Sequence, residues 1–329
     1  MKLATYRDGS RDGHLVVVSR DLSQAHYATG IATRLQQVLD DWNFLAPQLE
    51  ELSITLNHGR ARHAFAFEPQ KCMAPLPRPL LSALGQAWPA HGERLATLRG
   101  EAAAAEPPLR FLSPLWLGAT EPVRLASEVM GIDFAAELIA ICGDVAQGVT
   151  AEQALEGVRL LGLGSRWWLR QLDAGDAALC QPLASQAPLL VTPDELGEAW
   201  KGGRVLLPLQ AMWNGRKIGQ CECGSDMDSH FGQLIAQLAR LRALPAGSLV
   251  AAGPVSNREA SRGVATIADK RALEIAKDGS ASTEYMKFGD SLRLEIKGRD
   301  GLSVFGAIDQ DVVSLHEPVE PPAPEAEAA

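Results

Sequence analysis

From residue 134 onward the chain is a succession of short apolar runs, most of them stopped by Gly, Pro or Asp, and no other feature narrows the fold as far. Leu138 to Cys142, Leu189 to Val191, Val205 to Leu207, Leu249 to Ala252 and the alternating Leu292, Leu294 and Ile296 all read as strands. Two helical patterns interrupt them, one on Ala154, Leu155, Val158 and Leu161, the other on Phe231, Leu234, Ile235, Leu238 and Leu241. A doubly wound parallel sheet needs a helix after nearly every strand, so this pattern predicts an α+β fold instead.

At 329 residues the chain exceeds the roughly 250 to 300 at which a single core stops growing, so a second, smaller unit is expected. The first seventy residues supply it: a strand at Leu15 to Val18, a helix carrying Leu35, Val38, Leu39 and Trp42, and a second strand through Leu52 to Leu56. Pro75, Pro77 and Pro79 cannot sit inside a helix or a central strand and mark a connector. The expected division is 1–72 as a small N-terminal α/β domain, 73–316 as the main domain and 317–329 as a disordered acidic Pro/Ala tail. Between Gln86 and Ser127 one short helix and loop are expected, with the alanine run 102–105 halted by Pro107 and Pro108.

Forty acidic against 31 basic side chains give a net charge of -9, the wrong sign for adhesion to nucleic acid or to anionic lipid. No stretch approaches the ~20 apolar residues of a membrane helix, and the opening MKLATYRDGSRDG has no apolar secretory core, so the expected compartment is the cytoplasm. Five cysteines at irregular spacing fit a reducing environment, with Cys72, Cys142 and Cys180 as inert thiols in apolar surroundings.

Several segments, in order, resemble the fumarylacetoacetate hydrolase superfamily and its bacterial two-domain members. They are MAPLPR at 73–78, GIDF with AEL at 131–138, GDVAQGVTAEQALEGVRLL at 143–161, VTPDELG at 191–197, WNGRKIGQ at 213–220, FGQLIAQL at 231–238, GPVSN at 253–257, FGDSLRLEI at 288–296 and VFGAIDQ at 304–310. The resemblance implies a mixed β-roll preceded by a small N-terminal domain, assembled as a homodimer. It also implies action on 1,3-diketones or 2-oxo acids with a divalent ion, Mg²⁺ or similar, that polarises the paired substrate oxygens.

At the chemistry this sequence departs from the family. Of two glutamates expected after GIDF it has Ala135 and Glu137; the expected metal aspartate falls at Ser165-Arg166; the pocket lysine corresponds to Gln181 before Pro182; and the threonine of the glycine-rich turn corresponds to Pro254. Three carboxylates offset the dehydration of a hard cation, and one carboxylate beside an arginine does not. The expectation is therefore no metal and no cofactor.

What remains is His91 with Glu93 in AWPAHGERL, where the resemblance implies a water-activating histidine and a nearby glutamate; the bland alternative is a solvated histidine on an exposed, proline-broken segment. Arg166 with Trp167 and Trp168 reads either as a pocket wall with an anion contact or as core packing beside a shortened loop. The expected substrate-binding set is Arg166, Trp167, Trp168, Gln181 and Glu137. Cys221, Cys223 and His230 could hold a soft metal such as zinc, while GSDMDSHFG also reads as a helix start capped by Asp228 or Ser229. Two functional readings stand: a repurposed, metal-independent enzyme acting on an enolisable small molecule by acid-base chemistry, and a catalytically silent paralogue that binds a ligand or partners an active subunit.

Overall fold

The computed structural model describes residues 1–102, 109–172 and 178–316. The first unit comprises β1 (Lys2–Tyr6), β2 (His14–Val18), β3 (Gln24–Tyr27), α1 (Leu35–Asp40), α2 (Trp42–Asn57) and β4 (Phe65–Ala66). A connector carrying the three prolines leads to β5 (Leu81–Leu84), α3 (Pro89–Arg99), β6 (Arg110–Phe111), β7 (Leu115–Leu117), β8 (Val123–Leu125) and the long β9 (Ile132–Cys142). Then come α4 (Ala151–Glu156), β10 (Val158–Leu169), β11 (Leu183–Gln186), β12 (Leu190–Val191), β13 (Trp200–Lys201), β14 (Arg204–Val205), β15 (Pro208–Trp213) and β16 (Arg216–Glu222). The chain closes with α5 (Phe231–Ala239), β17 (Ser248–Pro254), α6 (Ile267–Asp278), β18 (Ser291–Lys297) and β19 (Ser303–Ser314).

The α+β expectation holds. A large sheet runs β4-β3-β2-β1-β12-β10-β9-β17-β5-β6, with β11 and β7 branching from β10, and a second sheet runs β16-β15-β18-β19-β8. The strand pairs of the two sheets are antiparallel except β17 with β5 and β11 with β7 in the large sheet and β19 with β8 in the second. One face of the large sheet packs, through Phe134, Ala136 and Leu138, on Leu209, Leu292, Leu294 and Phe305 of the second sheet and on Phe231 and Leu234 of α5. The other face, through Ile139, Ile141 and Leu249, packs on Leu3, Val17, Val38 and Leu49 of the N-terminal unit.

Three local expectations are corrected. Leu52 to Leu56 is the end of α2, not a strand: Leu49, Ser53 and Leu56 are the buried positions, a spacing of four and three that only a helix places on one side. Val158 and Leu161 belong to β10, because α4 ends at Glu156 and the apolar run from Val158 is buried on both faces. Besides α3, the 86–127 region contributes three short strands. The run 103–105 and the tail 317–329 lie outside the described residues.

Candidate active site

Alternation along β9 and β10 decides which side chains share a face. Asp133 lies opposite Trp168, Ala135 opposite Arg166 and Glu137 opposite Gly164, so these six positions point the same way. Ser165 and Trp167, opposite Ala136 and Phe134, point the other way. Arg166 is therefore the residue that meets Ala135 and Glu137, and Ser165 does not. Its Nη2 donates to Glu137 Oε1 at 2.9 Å and its Nε reaches Glu137 Oε2 at 3.5 Å, with the guanidinium 5.7 Å from the Trp116 ring centroid. Both partners are almost fully buried, and burial pushes the Glu137 carboxyl up against the pull of Arg166. Arg166 Nη1 is buried and has no hydrogen-bond partner among the described residues.

Further along the same face, Asp133 Oδ1 accepts from Ile267 N at 2.7 Å, and Oδ2 accepts from Ala268 N at 3.2 Å and Arg170 Nε at 2.9 Å. Asp133 thereby takes the orphan amides at the start of α6, where carboxylates are favoured, and Thr266 caps the same turn by accepting from Asp269 N. Arg170 stacks 4.1 Å from the Trp168 ring centroid. Arg170 Nη2 and Trp168 Nε1 are further buried donors without a partner among the described residues. Trp167 instead fills the core and donates from Nε1 to Ser185 Oγ at 3.1 Å, so only the second tryptophan shares the face of Arg166. Gln181 is buried beside the end of β10, where Leu169 N donates to Cys180 O.

The α6 anchor also brings in the histidine. His91, in the first turn of α3, is 2% exposed rather than solvated, and its Nδ1 sits 2.7 Å from Asp269 Oδ1. Asp269 Oδ2 accepts from Arg94 Nη1 at 3.0 Å and Ser256 Oγ at 2.6 Å, and Arg94 Nη2 donates to Asn257 O at 2.6 Å. Burial alone would push the Asp269 carboxyl up; the opposing pull of His91, Arg94 and Ser256 brings it down to about 2. Glu93 is corrected as the orienting carboxylate: it lies on the outer side of α3, half exposed, 3.5 Å from Arg258 Nη1. Nδ1 is committed to Asp269, so Nε2 is the ring nitrogen outside that contact.

The two clusters adjoin. Ala135 bridges to Thr266, Pro254 pairs with Glu137, and Val255 N donates to Ala136 O two residues before Asn257. The turn GPVSN thus carries Ser256 from the edge of the carboxylate face to Asp269. Asp269, Arg94, Ser256, Asp133 and Arg170 were not singled out as site residues in the sequence. The one available signal was Thr266 three residues before Asp269, a helix-start pattern that places the aspartate in a first turn without naming its partner.

A divalent ion does not fit these residues. A methyl group stands at 135, and both oxygens of Glu137 are engaged by the guanidinium opposite. Nor do Cys221, Cys223 and His230 converge: among the described residues no three His, Cys, Asp or Glu side chains come together as a ligand set. Both thiols are buried, which pushes Cys221 up to about 12 and Cys223 well above the ordinary thiol value. His230 itself caps α5, its Nδ1 accepting from Gly232 N at 3.1 Å, so the cap falls one residue later than the serine and two later than the aspartate proposed for it.

Two family models cover almost the whole chain. Residues 1–78 match the fumarylacetoacetase N-terminal domain 2, and residues 82–313 match the fumarylacetoacetate (FAA) hydrolase C-terminal domain. The chain belongs to the fumarylacetoacetate hydrolase family. Maleylpyruvate hydrolase from Sphingobium sp. SYK-6 superposes with a TM-score of 0.66 at 17% identity, over 95% of this chain and 100% of that one. The same enzyme with manganese(II) and pyruvate gives 0.62 at 18% identity, over 95% and 99% of the two chains. A 5-carboxymethyl-2-hydroxymuconate delta-isomerase from Mycobacterium smegmatis gives 0.60 at 16% identity, over 95% and 99%. No protein of curated function matches the sequence. These likenesses establish the fold, and no helix among the described residues is long and apolar enough to cross a membrane.

Proposed function

We propose that this family member is a metal-independent enzyme acting on an enolisable oxo compound, a 1,3-diketone or a 2-oxo acid, by acid-base chemistry. The observation that carries the reading is the 2.7 Å bond between His91 and Asp269, held inside a buried network although the carboxylate site beside it is filled by an arginine. His91 Nε2 takes or returns the proton at the carbon next to the carbonyl. Asp269 fixes the ring and offsets the charge it gains, and Arg94 and Ser256 fix Asp269. Arg166 is the group suited to hold the enolate oxygen, since Nη1 still has a proton to donate. Trp168, Gln181 and Glu137 complete the binding wall in this reading, which also takes the protein as a cytoplasmic homodimer with residues 1–72 as its small domain.

Proton exchange tests this without knowledge of the final product. Wild-type protein treated with EDTA and offered a panel of 2-oxo acids and 1,3-diketones in D₂O should incorporate deuterium at the enolisable carbon, read by NMR. His91→Asn, checked for folding by circular dichroism, should lower that rate by ~10² to 10⁴-fold. Exchange that vanishes with EDTA would refute metal independence. One observation favours the silent-subunit reading: Arg166 and Glu137 already neutralise each other at no more than 1% side-chain exposure. Wild-type protein that exchanges no member of the panel would favour that alternative.

A further inference from the structure

A cavity that shares no lining residue with the His91 cluster surrounds Lys2 on β1. β1 sits between β2 and β12, with Lys2 opposite Val18 on one side and Val191 on the other, so the start of this lysine's side chain is fixed inside the sheet. Lys2 is 5% exposed, and its amine reaches across to the β18–β19 hairpin, donating to Ser303 O at 2.9 Å. It lines a cavity of about 440 Å³ together with Arg20, Glu195, Arg299, Asp300 and Ser303. The carboxylates there are committed elsewhere. Glu195 takes Arg20 at 3.0 Å and the main-chain amine of Met1 at 3.3 Å, Glu198 takes Arg299 at 3.2 Å, and Asp300 Oδ1 accepts from Leu302 N at 3.0 Å. Lys2 is left with a carbonyl as its acceptor, and the buried Ser303 Oγ beside it has no partner among the described residues.

We propose that Lys2 and Ser303 form a second small-molecule site, in which the Lys2 amine binds small aldehydes or ketones reversibly as an imine. A lysine amine is a nucleophile only without its proton, and desolvation favours that form. Burial pushes Lys2 down here and Arg20 adds to the push, against the pull of Glu195, Asp300 and Asp21. The step balances without an oxidant. The nitrogen lone pair forms the C–N bond while the carbonyl π pair moves to oxygen, which takes one proton; the nitrogen gives up its two protons to solvent, and its lone pair closes the C=N bond as the C–O bond breaks and the oxygen, taking a second proton from solvent, leaves as water. Ser303 lines the same cavity, and its hydroxyl, without a partner among the described residues, is the proposed donor to that oxygen.

Propanal with cyanoborohydride is the probe: hydride reduces any imine to a stable secondary amine, and peptide mass spectra locate it. At pH 7 and limiting propanal, Lys2 should be alkylated at least ~10-fold faster than the exposed Lys201 and Lys277 in the same sample. Lys2→Arg should lose that adduct and keep the slower ones. A Lys2 rate equal to or below that of the exposed lysines overturns the proposal. The comparison is internal to wild-type protein, so it stands whether or not the arginine variant folds, and it is independent of any exchange chemistry at His91.

Discussion

Arg166 and Asp269 set opposite electrostatic problems, and each yields a measurement. Removing one partner of a buried ion pair leaves the other charge uncompensated, at a cost of about 3–5 kcal/mol. Arg166→Met should therefore lose stability on that scale, read by urea unfolding, while Glu137→Gln combined with Arg166→Met should recover most of it. In the single variant Glu137 is already pushed up by burial and loses its cation, so the variant should be least stable at high pH and regain stability as pH falls from above the ordinary carboxylate value down to it. A loss independent of pH would argue against a charged Glu137. Asp269 has the other sign. It is held at about 2, below its ordinary 3.8, so its contribution of about 2 kcal/mol is fully present above pH ~4 and is lost as pH falls toward ~2. The stability difference between wild type and Asp269→Asn should shrink over that window. A difference that stays constant would mean that the carboxylate is not held by His91 and Arg94. At this scale the sequence showed the substituted positions, because Ala135 and Arg166 are legible against a motif, but it misassigned the partner of His91. Glu93 is two residues away in the chain and Asp269 is 178, and nothing local encodes a contact of that span.

At the scale of elements, the start of α6 does most to join the two clusters. Its first turn is capped twice, by Thr266 from within and by Asp133 from β9, and it presents Asp269 to His91 on α3. An N-cap contributes about 1 kcal/mol, so Thr266→Ala should cost about that much. Asp133→Ala should cost at least about 3 kcal/mol, because it orphans two helix amides and strands the Arg170 guanidinium. Urea midpoints rank the two variants; equal midpoints would show that Asp133 does not anchor the helix. Strands were the readable elements, since each short apolar run is bounded by turn residues. The misreadings came where two periods overlap: Leu52, Ile54 and Leu56 alternate as a strand would, yet burial follows Leu49, Ser53 and Leu56.

For the whole molecule, the division of the chain into two matched domains does not divide its hydrophobic core. β1 pairs with β12 through Lys2 with Val191 and Leu3 with Leu190, which makes the N-terminal strands an extension of the large sheet. The buried cluster on that face mixes Leu3, Val17, Val38 and Leu49 with Ile139, Ile141, Leu190 and Leu249. The proline connector was legible as a break in secondary structure, but a break in the chain is not a break in packing, and β12 is two residues long with nothing in its sequence to announce which strand it joins. Cooperativity follows burial rather than connectivity. Opening the N-terminal unit would expose the edge of β12 and strip apolar cover from β9 and β17, at about 25 cal/mol for each Å² uncovered. The full chain should therefore unfold in one transition, with circular dichroism and tryptophan fluorescence tracing the same urea curve, although Trp42 lies in one unit and Trp116, Trp167 and Trp168 in the other. A fragment of residues 1–78 should remain unfolded on its own, because the cluster around Leu3, Val17, Val38 and Leu49 is completed by residues of β9, β12 and β17. Two separated transitions, or a folded fragment, would show instead that the shared sheet is a docking contact between independent domains.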